Sequence, residues 1–101
     1  MSKDAVIVSV ARTPIGKAYR GVFNNLEAPS MMAHAIKHAV TRAGIDSAEI
    51  DDCIIGAALQ QGTQSSNLGR IAAIAAGLPT SVSGMTIDRQ CSSGLMSIAT
   101  A

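Results

Sequence analysis

Short β-branched runs alternate with alanine-rich segments along this chain, and the alternation restricts the fold more than any other feature. Residues 5–10, AVIVSV, read as a strand buried on both faces. Residues 53–60, CIIGAALQ, and 85–88, MTID, read as a second and a third strand. Between the first two lies 31–44, MMAHAIKHAVTRAG, which puts Met32, Ala35, Ile36, Ala39, Val40 and Ala43 on one helical face. His34, Lys37, His38, Thr41 and Arg42 take the opposite face, Ser30 reads as the N-cap, and Gly44 as the stop. Asn67 reads as the cap of a second helix, LGRIAAIAA, which Gly77 and Pro79 end. A third helix is expected from Ser92 onward. The order β-α-β-α-β-α predicts an α/β fold: a parallel sheet with helices on its faces and right-handed crossovers. The remaining stretches, 11–25, 45–52, 61–67 and 80–84 (TSVSG, with Gly84), carry turn residues or charge and read as connections, with a short helical turn expected in IDSAEIDD.

Composition narrows the function classes. Hydrophobic residues make up 48% of the 101 and charged residues 15%, which suits a packed core and not a disordered chain. Tyr19 and Phe23 are the only aromatics, so aliphatic and alanine side chains must fill the interior. Eight Lys or Arg oppose seven Asp or Glu, and the basic residues are scattered, which argues against nucleic-acid binding. No stretch approaches the ~20 apolar residues of a membrane span. The apolar run near the N-terminus is too short for a signal peptide, so the expected compartment is the cytoplasm. Two cysteines, Cys53 and Cys91, do not make a disulfide framework, and no Cys/His pair has metal-ligand spacing.

Cys91 stands apart because it lies where the MTID run gives way to the third helix. Amide groups at a helix start lack intrahelical partners and mark the positive end of the dipole, and both effects favour a thiolate. A cysteine in that setting can drop below its free pKa of ~8.5. Its own N–H is also placed to donate to an oxyanion, and Gly94 leaves room for close approach. The junction is similar to a nucleophile elbow, although G-x-S-x-G is absent because position 89 is Arg. On placement alone the packing reading outweighs this one: a free cysteine is usually a small buried hydrophobe. Cys53, inside CIIGAAL, reads as core packing. His34 and His38 have i,i+4 spacing but share their face with Lys37 and Arg42, so a solvated face outweighs a metal site. Ser92 and Ser93 read as capping or turn residues.

Three stretches, VARTPIGKAYRGVF, AGIDSAEIDDCIIGAALQQG and DRQCSSGLMSIATA, occur in an order and at a spacing that resembles the N-terminal part of thiolases, acetyl-CoA acyltransferases. The resemblance covers essentially the whole chain. It implies a layered α/β/α/β/α fold built from similar halves, of which residues 1–101 are a partial N-terminal domain ending within the helix after the nucleophile. It implies that Cys91 is the catalytic nucleophile, attacking a 3-ketoacyl-CoA to release acetyl-CoA and keep the acyl group as a thioester. Coenzyme A and acyl-CoA would be substrates, with no resident cofactor and no metal. A homo-oligomer and a role in fatty-acid β-oxidation follow from the same likeness.

Thiolases also carry a downstream activating histidine, a second catalytic cysteine and an Asn-Glu motif. None of these matches a position here: His34, His38 and Cys53 lie elsewhere in the pattern. The 101 residues are therefore expected to be the front of a longer enzyme and inactive alone. The RQCSSGL form resembles 3-ketoacyl-CoA thiolases more than biosynthetic acetoacetyl-CoA enzymes. Alternatives are that biosynthetic enzyme, a carrier-protein condensing enzyme, and a non-catalytic acyl-CoA- or lipid-binding module.

Overall fold

A computed structural model describes residues 3–101. Helix α1 spans Ala28–Ala43, strand β1 Asp52–Gly56, helix α2 Leu68–Ala75, strand β2 Ser83–Ile87 and helix α3 Ser93–Thr100. Single 3-10 turns occupy Ser47–Glu49 and Gly62–Gln64. The first of these is the helical turn expected in IDSAEIDD, and the Asp46 side chain caps it.

α1 has the predicted faces. Met32 and Ile36 pack against the core, while His34, Lys37, His38, Thr41 and Arg42 are exposed. The helix begins before Ser30, however. Pro29 sits in its first turn, where a missing N–H costs nothing and a fixed φ suits the helix. Glu27 is the N-cap, with no side-chain bond, and the Ala28 N–H is instead satisfied by the Thr63 hydroxyl at 3.1 Å. At the other end Gly44 adopts φ +67° and returns its N–H to the carbonyls of Val40 and Thr41.

β1 and β2 pair in parallel, from Asp52 opposite Ser83 to Gly56 opposite Ile87. α2 is the crossover between them and lies on the pair with almost no gap. A Cβ at Gly69 would overlap the Met85 carbonyl, and one at Gly84 would overlap the Arg70 backbone. That contact explains why β2 begins at Ser83 and not at Met85: Gly84 looks like a turn residue in sequence but is needed flat under the helix. β1 in turn is shorter than CIIGAALQ, and Ala57 beyond it still donates to the Ile87 carbonyl at 2.9 Å. The buried cluster of Ile55, Ala57, Leu68 and Ala72 is flanked by Ala28, Met32, Ile36 and Cys53, and Val82 is fully buried.

The first expected strand is not formed. Residues 5–10 make no backbone ladder with β1 or β2 among the described residues. Val6, Ile7, Val8 and Val10 are 69–75% exposed, so the run is not buried on both faces. A β-branched run favours extended backbone, but a strand exists only where another strand takes its N–H and C=O groups. Here the cross-chain bond to this run is a side-chain one, from the Arg42 guanidinium to the Val10 carbonyl at 2.8 Å. The observed order is thus α-β-α-β-α around a parallel two-stranded sheet, still an α/β arrangement.

Candidate active site

β2 ends at Ile87 and α3 starts at Ser93, so the chain reverses within a few residues. Side chains hold that reversal. Asp88 Oδ1 accepts the Gln90 N–H at 2.9 Å, the turn that aspartate makes with its own backbone two residues on. Gln90 has φ +53°, a left-handed conformation that a residue with a Cβ adopts at a cost. Ser93 Oγ accepts the Arg89 N–H at 2.8 Å and donates to the Gln90 carbonyl at 2.6 Å. The Ser93 N–H returns to the same carbonyl at 3.1 Å, and the Ser92 N–H to that of Arg89 at 3.1 Å. Arg89 and Cys91 form an isolated bridge across the strained residue.

Cys91 is at the outer point of this turn and its thiol is exposed. It lies neither in the apolar core of the described residues nor away from a helix start. α3 rests on the end of β1, where a Cβ on Gly56 would overlap the Ser93 carbonyl. The tight seat fixes where the helix begins. Ser92, the N-cap, has φ −96° and ψ 9°, outside the extended region that lets a capping side chain reach forward, and it makes no cap bond. The N–H groups of Gly94 and Leu95 take no partner from the described residues. Nothing stands within 4 Å of where a Gly94 Cβ would be. An exposed thiol, partner-free amides and an unfilled surface thus lie within four residues of one another along the chain. That combination can stabilise developing negative charge.

The other sequence candidates are elsewhere. Cys53 is half-buried on β1; burial first, then the neighbouring Asp52 charge, pushes its thiol above the ordinary range. It is core-facing and does not meet Cys91. His34 and His38 stack edge to face with ring centroids 4.6 Å apart on the exposed side of α1. No group of three or more His, Cys, Asp or Glu side chains suited to a metal ion occurs among the described residues. The Arg89 guanidinium reaches along α3 to the Met96 sulfur at 3.9 Å. With Ser92, Leu95 and Ala99 these two line a shallow depression next to the turn. Sequence reasoning did not single out Asp88 or Gly56. An aspartate directly after a strand was the available signal for the first; the second needed the seat of α3 to be seen. No helix among the described residues is long and apolar enough to cross a membrane.

Comparison with known proteins bears on this junction. Residues 5–101 match the model of the thiolase N-terminal domain. The chain is 46% identical over 97 residues to a 3-ketoacyl-CoA thiolase of Bacillus subtilis, covering 96% of this chain and 25% of that protein. It is 41% identical over 96 residues to a peroxisomal 3-ketoacyl-CoA thiolase of Arabidopsis thaliana, covering 95% and 21%. Among solved structures, a thiolase from Ascaris suum in complex with coenzyme A superposes with a TM-score of 0.90 at 33% identity, over 97% of this chain and 25% of that one. A Bacillus anthracis acetyl-CoA acetyltransferase gives 0.87 at 39% identity, over 94% and 24%. The chain spans about a quarter of the length of the relatives it matches.

Proposed function

The chain belongs to the thiolase family through its N-terminal domain, and from that premise we propose that it supplies the nucleophile of an acyltransferase that cleaves 3-ketoacyl-CoA. The carrying observation is the exposed Cys91 on a braced turn at the open start of α3. The Cys91 thiolate attacks the ketone carbon, and the tetrahedral oxyanion accepts a hydrogen bond from the Cys91 N–H. The bond between the ketone carbon and its neighbour breaks, and acetyl-CoA leaves as an enolate that takes up a proton. The acyl group stays on the sulfur as a thioester. The thiol of a second coenzyme A then attacks that thioester, loses its proton, and expels the Cys91 thiolate. This is two-step covalent catalysis with ping-pong kinetics, and in reverse it condenses acyl thioesters.

The names of the B. subtilis and A. thaliana relatives support the degradative substrate class. The B. anthracis acetyltransferase supports the same chemistry run as acetyl transfer, which is the second reading. Coenzyme A and its thioesters are substrates in this scheme, with no resident cofactor or metal. The resemblance to thiolases implies that an activating histidine, a second cysteine and an Asn-Glu motif also take part, and none of these matches a position in residues 1–101. We further place the enzyme in β-oxidation, in the cytoplasm, as a homo-oligomer. Steady-state cleavage of acetoacetyl-CoA by the complete polypeptide tests the reading. Cys91→Ser is expected to lose at least about a thousandfold in kcat, as removal of a covalent nucleophile does. Activity within a few-fold of the parent would refute the role of Cys91.

A further inference from the structure

We propose that Ser93 is a positioning residue for Cys91, its hydroxyl locking the turn that presents the sulfur. The inference rests on the reading of Cys91 as nucleophile. Ser93 is only 4% exposed, unlike its exposed neighbour Ser92. Its Oγ has both of its roles filled by backbone on either side of the peptide between Arg89 and Gln90: it accepts from the Arg89 N–H and donates to the Gln90 carbonyl. Gln90 is the left-handed residue directly before Cys91. Without a brace, such a residue relaxes toward a commoner conformation, and Cys91 moves with it. The backbone of Ser93 meanwhile is pressed against Gly56 at the end of β1. One residue therefore joins the sheet to the turn: its main chain is seated on β1, and its side chain reaches back over Gln90.

The consequence concerns chemistry more than folding. Alanine at this position keeps the main-chain seat but leaves the part-buried Arg89 N–H without its partner and the Gln90 carbonyl with the Ser93 N–H alone. Threonine keeps the hydroxyl. A displacement of the sulfur by about 1 Å is enough to slow a reaction by about a hundredfold. The test is single-turnover acylation of the complete polypeptide by acetyl-CoA, followed by rapid quench and mass mapping of Cys91. The rate constant and the amplitude are read separately, with folding followed by circular dichroism. For Ser93→Ala the acylation rate constant is expected to fall at least about tenfold while KM changes little. Ser93→Thr is expected to recover it to within a few-fold. A residue that only supports folding would lower the amplitude and leave the rate constant of the folded molecules unchanged; that result would overturn the proposal and leave the nucleophile reading intact. Equal slowing by Ala and Thr would overturn it too, because the hydroxyl would then not be the cause. No acyl group on Cys91 of the parent protein would overturn both readings together. If Ser93→Ala does not fold, Ser93→Cys, close in size and a weak hydrogen-bonding group, takes its place with the same deciding outcomes.

Discussion

The starts of α2 and α3 have the same parts used in opposite ways. Each follows a residue at positive φ, Asn67 in one and Gln90 in the other, and each has glycine as its second helical residue, Gly69 and Gly94. At α2 the second and third amides are closed. The Gly69 N–H donates to the Thr86 hydroxyl at 3.0 Å and the Arg70 N–H to Asn67 Oδ1 at 3.4 Å. Asn67 also holds Thr86 and the Gly84 carbonyl, and the Arg70 side chain reaches the Val82 carbonyl. At α3 the equivalent amides, of Gly94 and Leu95, take no partner from the described residues. The nearby serine hydroxyl faces the preceding turn instead of the helix. Gly69 is glycine because the Met85 carbonyl leaves no room for a Cβ; Gly94 has nothing within 4 Å. A closed helix start contributes stability, whereas an open one beside a thiol is a place to hold a negative charge that comes and goes with reaction.

The comparison can be broken from either side. The largest effect is expected from Gly56→Ala, which drives a methyl into the Ser93 carbonyl and lifts the start of α3 from β1. A loss of about 3 kcal/mol, at the upper end for overpacking, is expected in urea unfolding, together with severe loss of acyl transfer. Unchanged stability would mean that α3 is not seated there. Asn67→Ala should come next, at about 2 kcal/mol, since it removes a cap and strains a left-handed position. Because that helix start is purely structural here, the acylation rate constant of the folded fraction should not move. If it falls with stability, the division between a structural and a chemical helix start is wrong. The smallest effect on stability carries the sharpest contrast. Gly94→Ala should stabilise by about 0.5–1 kcal/mol, because alanine is the better helix former and nothing crowds the site. It should nevertheless slow acyl transfer, since a methyl would stand where the substrate approaches. A stabilised variant with full activity would show that Gly94 has no part in that approach.

Much of this arrangement was legible in the sequence. The faces of α1, the stop at Gly44, the Asn67 cap and the strand-to-helix junction at Cys91 all follow from local rules about periodicity and backbone ends. What was not legible depends on partners distant in sequence. AVIVSV has the composition of a central strand, yet it pairs with neither β1 nor β2. Gly84 reads as a turn until α2 is laid across it. Ser92 and Ser93 are indistinguishable as letters. Only the fold shows that one is exposed without a cap bond and the other is buried with its hydroxyl fully used.

The most direct test of the account sets the two cysteines against each other. The complete polypeptide is mixed with acetyl-CoA at neutral pH, quenched within its first turnover, digested and mapped by mass spectrometry. The open helix start predicts an acetyl group on Cys91 and none on Cys53, whose thiol is half-buried and pushed above its ordinary range by burial and then by Asp52. Acetyl found on Cys53, or on any residue other than Cys91, would contradict the account.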